Sequence, residues 1–341
     1  MIFLFLFYIS LIFILNLVFL KLDFLKSNTG FRHQLFANKS VPLSGGLFLL
    51  FPFTIILYES FSLSILTFLL LLLLGFLSDI NIFSKAKFRF ILQLIIISFF
   101  VLITQLEVLP TRIDYLDSYL QGTYTSYFFS VFCLMILING SNFIDGLNGL
   151  LVGYIILIFF ILLKTNLFQF LNLENQSLYF LFGILIYLIA MNFFNLLFMG
   201  DSGAYSLSFL IGFFLIKIYN FYPSISPYFI ILLLWYPCFE NLFSIVRKLK
   251  ISKNPLYPDS EHLHHYLYSF VKKKFKLSDL TNNNLTSIII NIFHLIILMI
   301  ASLNIYSTKL QIFLILISTL VYIATYYFLK KKINKTSLFK H

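Results

Sequence analysis

Four short polar segments interrupt a chain that is otherwise strongly apolar. They are GFLSDINIFSKAKFRFILQ at 75–93, NGSNFIDGLNGL at 139–150, FMGDSGAY at 198–205 and YPDSEHLHHYL at 257–267. The chain has only 13 acidic residues, and the segments hold Asp79, Asp145, Asp201, Asp259 and Glu261. Carboxylates and imidazoles bind divalent cations and phosphates and transfer protons. The candidate chemistry is therefore concentrated in these four segments.

The segment at 139–150 has the spacing of a ligand site. Asn139, Asn142 and Asp145 are three residues apart, so a helix end would direct them to one sector. Gly146 and Gly149 lack side chains and allow a phosphate or sugar to approach the backbone. Mg²⁺ usually takes one or two carboxylates, several waters and phosphate oxygens. The pattern predicts a magnesium–phosphate site, and a helix stop with local caps is the alternative.

The other segments allow similar pairs of interpretations. Asp201 lies between two glycines and is a candidate metal ligand, or GDSG is an ordinary turn. Asp79 and Arg89 are candidate site residues or solvated loop charges. The HxHH pattern lacks the usual partners of structural zinc, so a zinc site is disfavoured and an interfacial cluster is the alternative. Four such segments in one chain favour a functional interpretation over coincidence.

The elements that must position these residues are membrane helices. Hydrophobic residues make up 60% of the chain and charged ones 11%, and the mean hydropathy is +0.95. Apolar runs of about 17–25 residues, the length that spans a bilayer, recur along the chain. We predict an all-α, polytopic integral membrane helical bundle, with residues 1–341 forming a single transmembrane domain. A transmembrane β-barrel is excluded because its strands would be about ten residues long and alternate in polarity.

About eleven spans are predicted, with ten as the alternative count. They cover approximately 1–20, 45–58, 62–78, 90–106, 123–139, 149–164, 178–191, 203–219, 227–246, 285–304 and 309–328. We expect the first apolar run to be a retained span, because it has no basic segment before it and no small-residue cleavage signal after it. Cys133 and Cys238 lie in apolar runs and are expected to be buried thiols.

The basic residues determine the predicted orientation. Twenty of the 24 Lys and Arg residues fall on one side of the predicted topology, which should be the cytoplasmic side. The N-terminus is then outside and the C-terminus cytoplasmic, and all four polar segments lie at cytoplasmic span ends. The longest polar stretch, about 247–284, becomes a cytoplasmic loop. The net charge of +11 is explained by topology and by attraction to anionic lipid, so nucleic acid is not an expected partner.

An ordered set of motifs runs from about residue 38 to 270. The PxxGG motif is matched by Pro42, Gly45 and Gly46, and the DD…R…Q motif by Ser78, Asp79, Arg89 and Gln93. The NxxNxxDGxDG motif is matched by Asn139, Asn142, Asp145, Gly146, Asn148 and Gly149. The N…FMGDxG motif is matched by Asn192, Phe198, Gly200, Asp201 and Gly203, and the HxHH motif by His262, His264 and His265. This set resembles the polyprenyl-phosphate N-acetylhexosamine-1-phosphate transferase superfamily (glycosyltransferase family 4). VPLSGG and EHLHH make it more similar to the WecA type than to the MraY type.

The resemblance implies an enzyme of the bacterial inner membrane, with its active site on the cytoplasmic face. Such an enzyme transfers a sugar 1-phosphate from a UDP-N-acetylhexosamine to polyprenyl (undecaprenyl) phosphate, releases UMP and initiates a lipid-linked surface glycan. The implied cofactor is Mg²⁺, with Mn²⁺ as the alternative metal. The sequence is also compatible with a homodimer. It leaves the sugar and the glycan pathway open.

The resemblance also assigns roles to residues. The implied catalytic set is Asp79, Asp145, Asp201, His262, His264 and His265, with Asp201 and Asp79 holding the metal. The implied substrate-binding set is Lys39, Arg89, Asn139, Asn142, Asn148, Asn192, Phe198 and Arg247. Phe198 would stack on uracil, or it is an apolar core residue. Lys39 would lie near a phosphate, or it is a solvated lysine.

Two family aspartates are replaced, by Ser78 and Asn148. A lipid phosphate is mostly dianionic at neutral pH because its second pKa is about 6, so it needs no strong base. We therefore expect direct attack by the lipid phosphate rather than a covalent aspartyl intermediate. A catalytically divergent homologue, a noncatalytic scaffold and a transporter are the alternatives. A transporter is disfavoured because no internal repeat is evident and the polar groups gather at one boundary.

Overall fold

The computed structural model describes residues 2–25, 41–60, 62–108, 110–171, 175–255 and 259–334, and these residues contain no β-strand. The helices are α1 (Ile2–Lys21), α2 (Leu50–Ser60), α3 (Ser62–Asp79), α4 (Ala86–Thr104), α5 (Asp114–Leu120), α6 (Thr123–Ile144), α7 (Leu150–Lys164), α8 (Asn175–Phe193), α9 (Gly200–Phe221), α10 (Pro227–Leu233), α11 (Trp235–Lys250), α12 (Leu263–Phe275), α13 (Asp279–Ala301) and α14 (Thr308–Asn334). Short 3₁₀ helices cover Leu47–Leu49 and Leu167–Leu171.

The all-α, polytopic membrane architecture is confirmed. Seven of the described helices are long and apolar enough to cross a membrane, and an eighth span results if α10 and α11 count together. Leu47–Ile56, Leu63–Asp79 and Leu150–Lys164 are shorter apolar helical stretches. Every predicted span thus corresponds to helix, although some helices are too short to establish a crossing by length. The count of eleven and the orientation stay predictions.

The predicted span at 227–246 is broken rather than continuous. Helices α10 and α11 meet at Leu234 with a bend of 77°. Pro237 explains the break, because its ring clashes with the carbonyl four residues earlier, at Leu233, and it has no N–H to donate there. The bend turns the polar part of α11 toward the histidine segment.

Helix α9 is the centre of the bundle. In α9, 83% of the apolar stretch is buried, against 17% in α1 and 28% in α14, whose side chains face outward. Helices α3 and α6 pack directly on α9. A Cβ on Gly75 of α3 would lie 2.3 Å from Cα of Ser202 in α9, so this close approach requires glycine. Because Asp79 follows Gly75 by one helical turn, the contact places Asp79 at the start of α9.

Candidate active site

Asp79 caps the N-terminus of α9. Its carboxylate accepts hydrogen bonds from the backbone N–H groups of Asp201, at 2.8 Å, and Ser202, at 3.1 Å. Gly200 has φ of +71°, and a Cβ there would lie 2.6 Å from the Asp79 carboxylate, so glycine is required at this position. The first N–H groups of a helix have no partner within the helix and attract negative charge. Asp79 therefore fixes the start of α9 while bringing a second carboxylate beside Asp201.

The Asp201 carboxylate is the centre of a polar cluster. Its Oδ2 atom accepts hydrogen bonds from the Ser78 hydroxyl, at 2.6 Å, and from the Tyr205 hydroxyl, at 3.2 Å. The Arg89 guanidinium forms an ion pair with the same oxygen and also donates to the Ser78 hydroxyl. Ser78 therefore links Asp201 to Arg89, at the position where the family usually has another aspartate. The cluster brings together two of the four polar segments.

A cavity of about 210 Å³ opens beside this cluster between α4, α6 and α11. Its polar lining residues include Arg89, Gln93, Asn139, Asn142 and Asn241, and its apolar lining residues include Phe90, Phe132, Met135 and Ile136. Asn142 donates a hydrogen bond to the Tyr205 hydroxyl at 3.0 Å, and Asn139 donates to the Gln93 side-chain oxygen at 3.2 Å. The 139–150 segment is thus connected to Asp201 through Tyr205. A cavity lined by both polar and apolar side chains suits an amphipathic ligand.

The predicted ligand residues Asn148 and Asn192 take part in the structure of their own loop. The Asn148 side chain donates to Oδ1 of Asn195 at 2.6 Å. The Asn192 side chain accepts from the Gly149 N–H and donates to the Leu197 carbonyl at 2.8 Å. These bonds hold the segment between α6 and α7 in place. Contact of Asn148 and Asn192 with substrate stays a prediction.

Helix α13 supplies further loop contacts that the sequence did not indicate. The Asn283 side chain accepts from the Asn148 N–H at 2.8 Å, and the Asn291 side chain donates to the Gly149 carbonyl at 3.0 Å. The signal available in the sequence was the run TNNN at 281–284, which is unusually polar at the start of an apolar helix. A buried backbone group needs a partner, so these asparagines position the loop.

The three histidines lie together against the DG turn. A Cβ on Gly146 would lie 3.1 Å from Nε2 of His264 and 3.5 Å from Nε2 of His265. The ring centroids of His264 and His265 are 4.3 Å apart, and those of His262 and His264 are 5.4 Å apart. The structure thus brings the HxHH segment to Gly146, the residue after Asp145.

His264 is fully buried, and within the described part of the chain neither of its ring nitrogens has a hydrogen-bond partner. Burial, and then the neighbouring His265 and His262, lower the pKa of His264 well below its usual 6.5. The ring is therefore neutral at physiological pH and offers one N–H donor and one acceptor nitrogen. Both are directed into the protein interior beside the DG turn.

Arg247 lies at the edge of the histidine cluster. Its guanidinium contacts Asp259 at 2.9 Å and Glu261 at 3.1 Å. Burial raises the pKa of Asp259, but the contacts with His262 and Arg247 outweigh burial and hold that pKa below its usual value. Arg247 is thus tied to the segment before α12, and its contact with substrate stays a prediction.

Phe198 lies in a small apolar cluster with Val41 and Leu43, and it is 2% exposed. Its backbone N–H donates to the Pro42 carbonyl and its carbonyl accepts from the Gly45 N–H, both at 2.9 Å. The PxxGG and FMGD motifs therefore pack together. The stacking of Phe198 on uracil stays a prediction, and Lys39 lies outside the described residues.

The donor set at α9 fits a hard divalent cation. No group of three His, Cys, Asp or Glu side chains suited to a metal occurs in the described ranges. Mg²⁺, however, needs only one or two carboxylates when phosphate and water complete its shell. Asp79 and Asp201 supply two adjacent carboxylates, and Asp79 accepts one backbone hydrogen bond on each oxygen, fewer than the roughly four lone-pair sites of a carboxylate. This pair therefore meets the requirement of magnesium.

Comparisons with known proteins match the central part of the chain. The model of the family described as glycosyl transferase family 4 matches residues 61–219. A probable undecaprenyl-phosphate N-acetylglucosaminyl 1-phosphate transferase of Bacillus subtilis (strain 168) is 28% identical over 210 residues, which are 59% of this chain and 56% of that protein. An undecaprenyl-phosphate alpha-N-acetylglucosaminyl 1-phosphate transferase of Thermotoga maritima is 34% identical over 134 residues, 38% of each chain. The chain thus spans about half or less of the length of these relatives.

Proposed function

We propose that this protein transfers a sugar 1-phosphate from a UDP-N-acetylhexosamine to undecaprenyl phosphate. Residues 61–219 match the model of glycosyl transferase family 4, as the motifs predicted. One observation carries the proposal: Asp79, Asp201 and Arg89 meet beside a cavity lined by both apolar and polar side chains. The names of the two relatives support the same substrate pair. The distribution of Lys and Arg supports a site facing the cytoplasm at a bacterial inner membrane.

The cavity suits the lipid substrate. Phe132 and Met135 line the cavity and would contact the polyprenyl chain, while Arg89 and Asn139 also line it and would face the phosphate. Guanidinium groups bind phosphate through paired N–H donors. The lipid phosphate would therefore enter with its charge next to Asp201 and its chain toward the bilayer.

The histidine cluster suits the diphosphate of the nucleotide sugar. His264 has unused hydrogen-bonding capacity beside Gly146, where the backbone can approach a ligand closely. Asp145 precedes Gly146 in the chain, and Arg247 pairs with Asp259, which also lies beside His262; we assign these two residues, with Asn142, to the nucleotide. Mg²⁺ held by Asp201 and Asp79, or Mn²⁺ in its place, would neutralise phosphate charge.

The proposed step is one displacement. An oxygen of the lipid phosphate attacks the phosphorus that carries the sugar, a new P–O–P bond forms, and the bond to UMP breaks. Phosphoryl transfer depends mainly on positioning and charge neutralisation. The dianionic lipid phosphate needs no proton removed, which is consistent with Ser78 in place of an aspartate. Arg89 and the histidines would hold the two substrates in line.

A reconstituted assay tests the function. Purified protein in detergent is given undecaprenyl phosphate and a panel of UDP-N-acetylhexosamines, and the products are identified by mass spectrometry. We expect a lipid-linked diphospho-sugar and an equal amount of UMP from at least one donor, loss of both with EDTA, and recovery with Mg²⁺. Absence of product from every donor would refute the transferase, whereas turnover in EDTA would refute only the metal.

A further inference from the structure

Glu240 is a buried carboxylate inside α11, at 1% exposure. Its Oε1 atom is 2.8 Å from Nδ1 of His262. Its Oε2 atom accepts a hydrogen bond from the Tyr322 hydroxyl of α14, also at 2.8 Å. A carboxylate in an apolar helix is costly unless hydrogen bonds compensate it, and such residues in membrane helices are commonly functional. Both oxygens are used, one by His262 and one by Tyr322.

The contact between Glu240 and His262 determines where the imidazole carries a proton. We assign the proton of this contact to Nδ1 of His262, because an ionised carboxylate only accepts hydrogen bonds. The ring then directs Nε2 to the opposite side, where Oδ1 of Asp259 lies 3.4 Å away. Because Tyr322 holds the other oxygen, the carboxylate cannot rotate away from the ring. The orientation of His262 is therefore imposed by residues of α11 and α14.

His262 and His264 differ in this respect, although both belong to one motif. His262 has a carboxylate on Nδ1, whereas the buried ring of His264 has no hydrogen-bond partner in the described part of the chain. The two rings are nearly parallel, with an interplanar angle of 9° and centroids 5.4 Å apart. A fixed His262 ring therefore also restricts the position of the His264 ring, which packs against it. Orienting carboxylates of this kind are common behind functional histidines.

We propose that Glu240 is a positioning residue for His262, with Tyr322 as its anchor. Glu240 holds the ring with Nδ1 directed at its own carboxylate and Nε2 directed at Asp259, which fixes His262 against His264, the ring assigned to the diphosphate of the nucleotide sugar. This inference rests on the proposed transferase function. Neither Glu240 nor Tyr322 lies in the segment that matches the family model, 61–219.

The test compares Glu240→Leu and Glu240→Gln with the matched control Glu107→Gln. Glu107 follows the C-terminal end of α4, and its backbone carbonyl accepts a hydrogen bond from Asn220 near the C-terminal end of α9. Asp201 lies at the other end of α9, so Glu107 is remote from the site. ¹⁵N NMR of labelled histidines in detergent reports which ring nitrogen of His262 is protonated. We expect Nδ1–H in the unmodified protein and in Glu107→Gln, and a shift toward Nε2–H, the nitrogen that faces Asp259, in Glu240→Leu.

Kinetics provide the second readout. Loss of an orienting carboxylate behind a functional histidine typically costs about 10–100-fold in activity, so we expect kcat to fall in that range for Glu240→Leu, with KM changed less than about threefold. Glu240→Gln keeps an oxygen acceptor and should lose about tenfold or less. Glu240→Gln also tests the proposal by itself if Glu240→Leu fails to fold.

The outcomes separate the two proposals. An unchanged His262 tautomer, or full activity, in both Glu240 variants would overturn the positioning role. If the unmodified protein transfers no sugar but the tautomer still changes in the variants, the transferase proposal fails while the orientation of His262 by Glu240 is supported.

Discussion

The site has two parts that differ in how their polar groups are paired. The aspartate half consists of Ser78, Asp79, Arg89, Asp201 and Tyr205, and the histidine half consists of Glu240, Asp259, His262, His264 and His265. Each acid of the aspartate half already has protein partners. In the histidine half, His264 is buried without a hydrogen bond within the described residues. Paired groups stabilise the fold, whereas an unpaired buried group destabilises it and is available to a ligand.

The supporting elements explain this difference. The aspartate half is built on helix ends held by backbone contact, because α3 and α9 touch at Gly75 and Ser202. The histidine half stands on the start of α12, and ion pairs from Arg247 to Asp259 and from Lys330 to Glu261 connect that segment to α11 and α14. The first half is therefore organised before substrate arrives, and the second retains hydrogen-bonding capacity for it.

The largest expected effect comes from Asp201→Asn. The substitution keeps the shape of the side chain but removes the charge that pairs with Arg89 and is proposed to bind the metal. Transfer should fall by about 10³-fold, the order of losses seen when preorganised charge stabilisation is removed. The measurement is the initial rate with undecaprenyl phosphate and the best UDP-sugar.

Asp114→Asn is the matched control, since Asp114 is an exposed acid in the first turn of α5. It should retain full activity. If Asp201→Asn transfers at the unmodified rate while correctly inserted, Asp201 is not part of the metal site.

The next prediction uses the thermal stability of a variant to distinguish the histidine half from the aspartate half. His264→Leu replaces a buried ring that has no hydrogen bond by an apolar side chain, so no bond is lost and the thermal midpoint in detergent should stay equal or rise. Transfer should nevertheless fall by about 10–100-fold, since a hydrogen bond to a charged group such as a phosphate contributes about 1.5–3 kcal/mol. A large loss of stability together with activity would show that His264 has a structural role instead.

Much of the arrangement could be predicted from sequence. The apolar runs predicted helices, and this prediction succeeds because a run of about twenty apolar residues has few alternatives to a helix. The resemblance placed Asp79 with Asp201 in one metal site and Asp145 with the histidines in one catalytic set; the structure brings Asp79 to Asp201 and the histidines to Gly146, while their roles stay predictions. The break at Leu234 was foreseeable from Pro237 but was not predicted.

Other residues could not be found in this way. Glu240, Tyr205 and Asn283 acquire their roles through packing between distant helices, because their partners Tyr322, Asn142 and Asn148 lie 82, 63 and 135 residues away. Glu240 did leave a signal, since a single acid in an apolar run needs a partner. The partner itself, Tyr322, is one of 21 tyrosines, and its selection depends on how α11 packs on α14.

The pH dependence of stability provides a smaller effect from the histidine half. In the unfolded chain His264 takes up a proton as the pH falls below about 6.5, whereas burial keeps it neutral in the folded protein. The unfolded state then binds more protons, so the free energy of unfolding falls with pH below 6.5, by up to about 1.4 kcal/mol per unit. Thermal midpoints between pH 7.5 and 5.5 should therefore decrease less in His264→Leu than in the unmodified protein. Equal slopes would contradict the buried neutral ring.

The smallest expected effect concerns the replaced aspartate in the other half. Ser78→Ala removes one hydrogen bond to Asp201, but Arg89 and Tyr205 remain on the same oxygen. A single hydrogen bond to a charged group contributes about 1.5–3 kcal/mol when nothing compensates it, and with two partners retained we expect activity to fall by only about 3- to 10-fold.

The matched control is Ser118→Ala in α5, where the hydroxyl bonds only to a local carbonyl within the described residues. A loss as large as that of Asp201→Asn would mean that Ser78 itself takes part in the reaction. A modest loss would show that this site functions through Asp201 and Arg89 without the missing carboxylate.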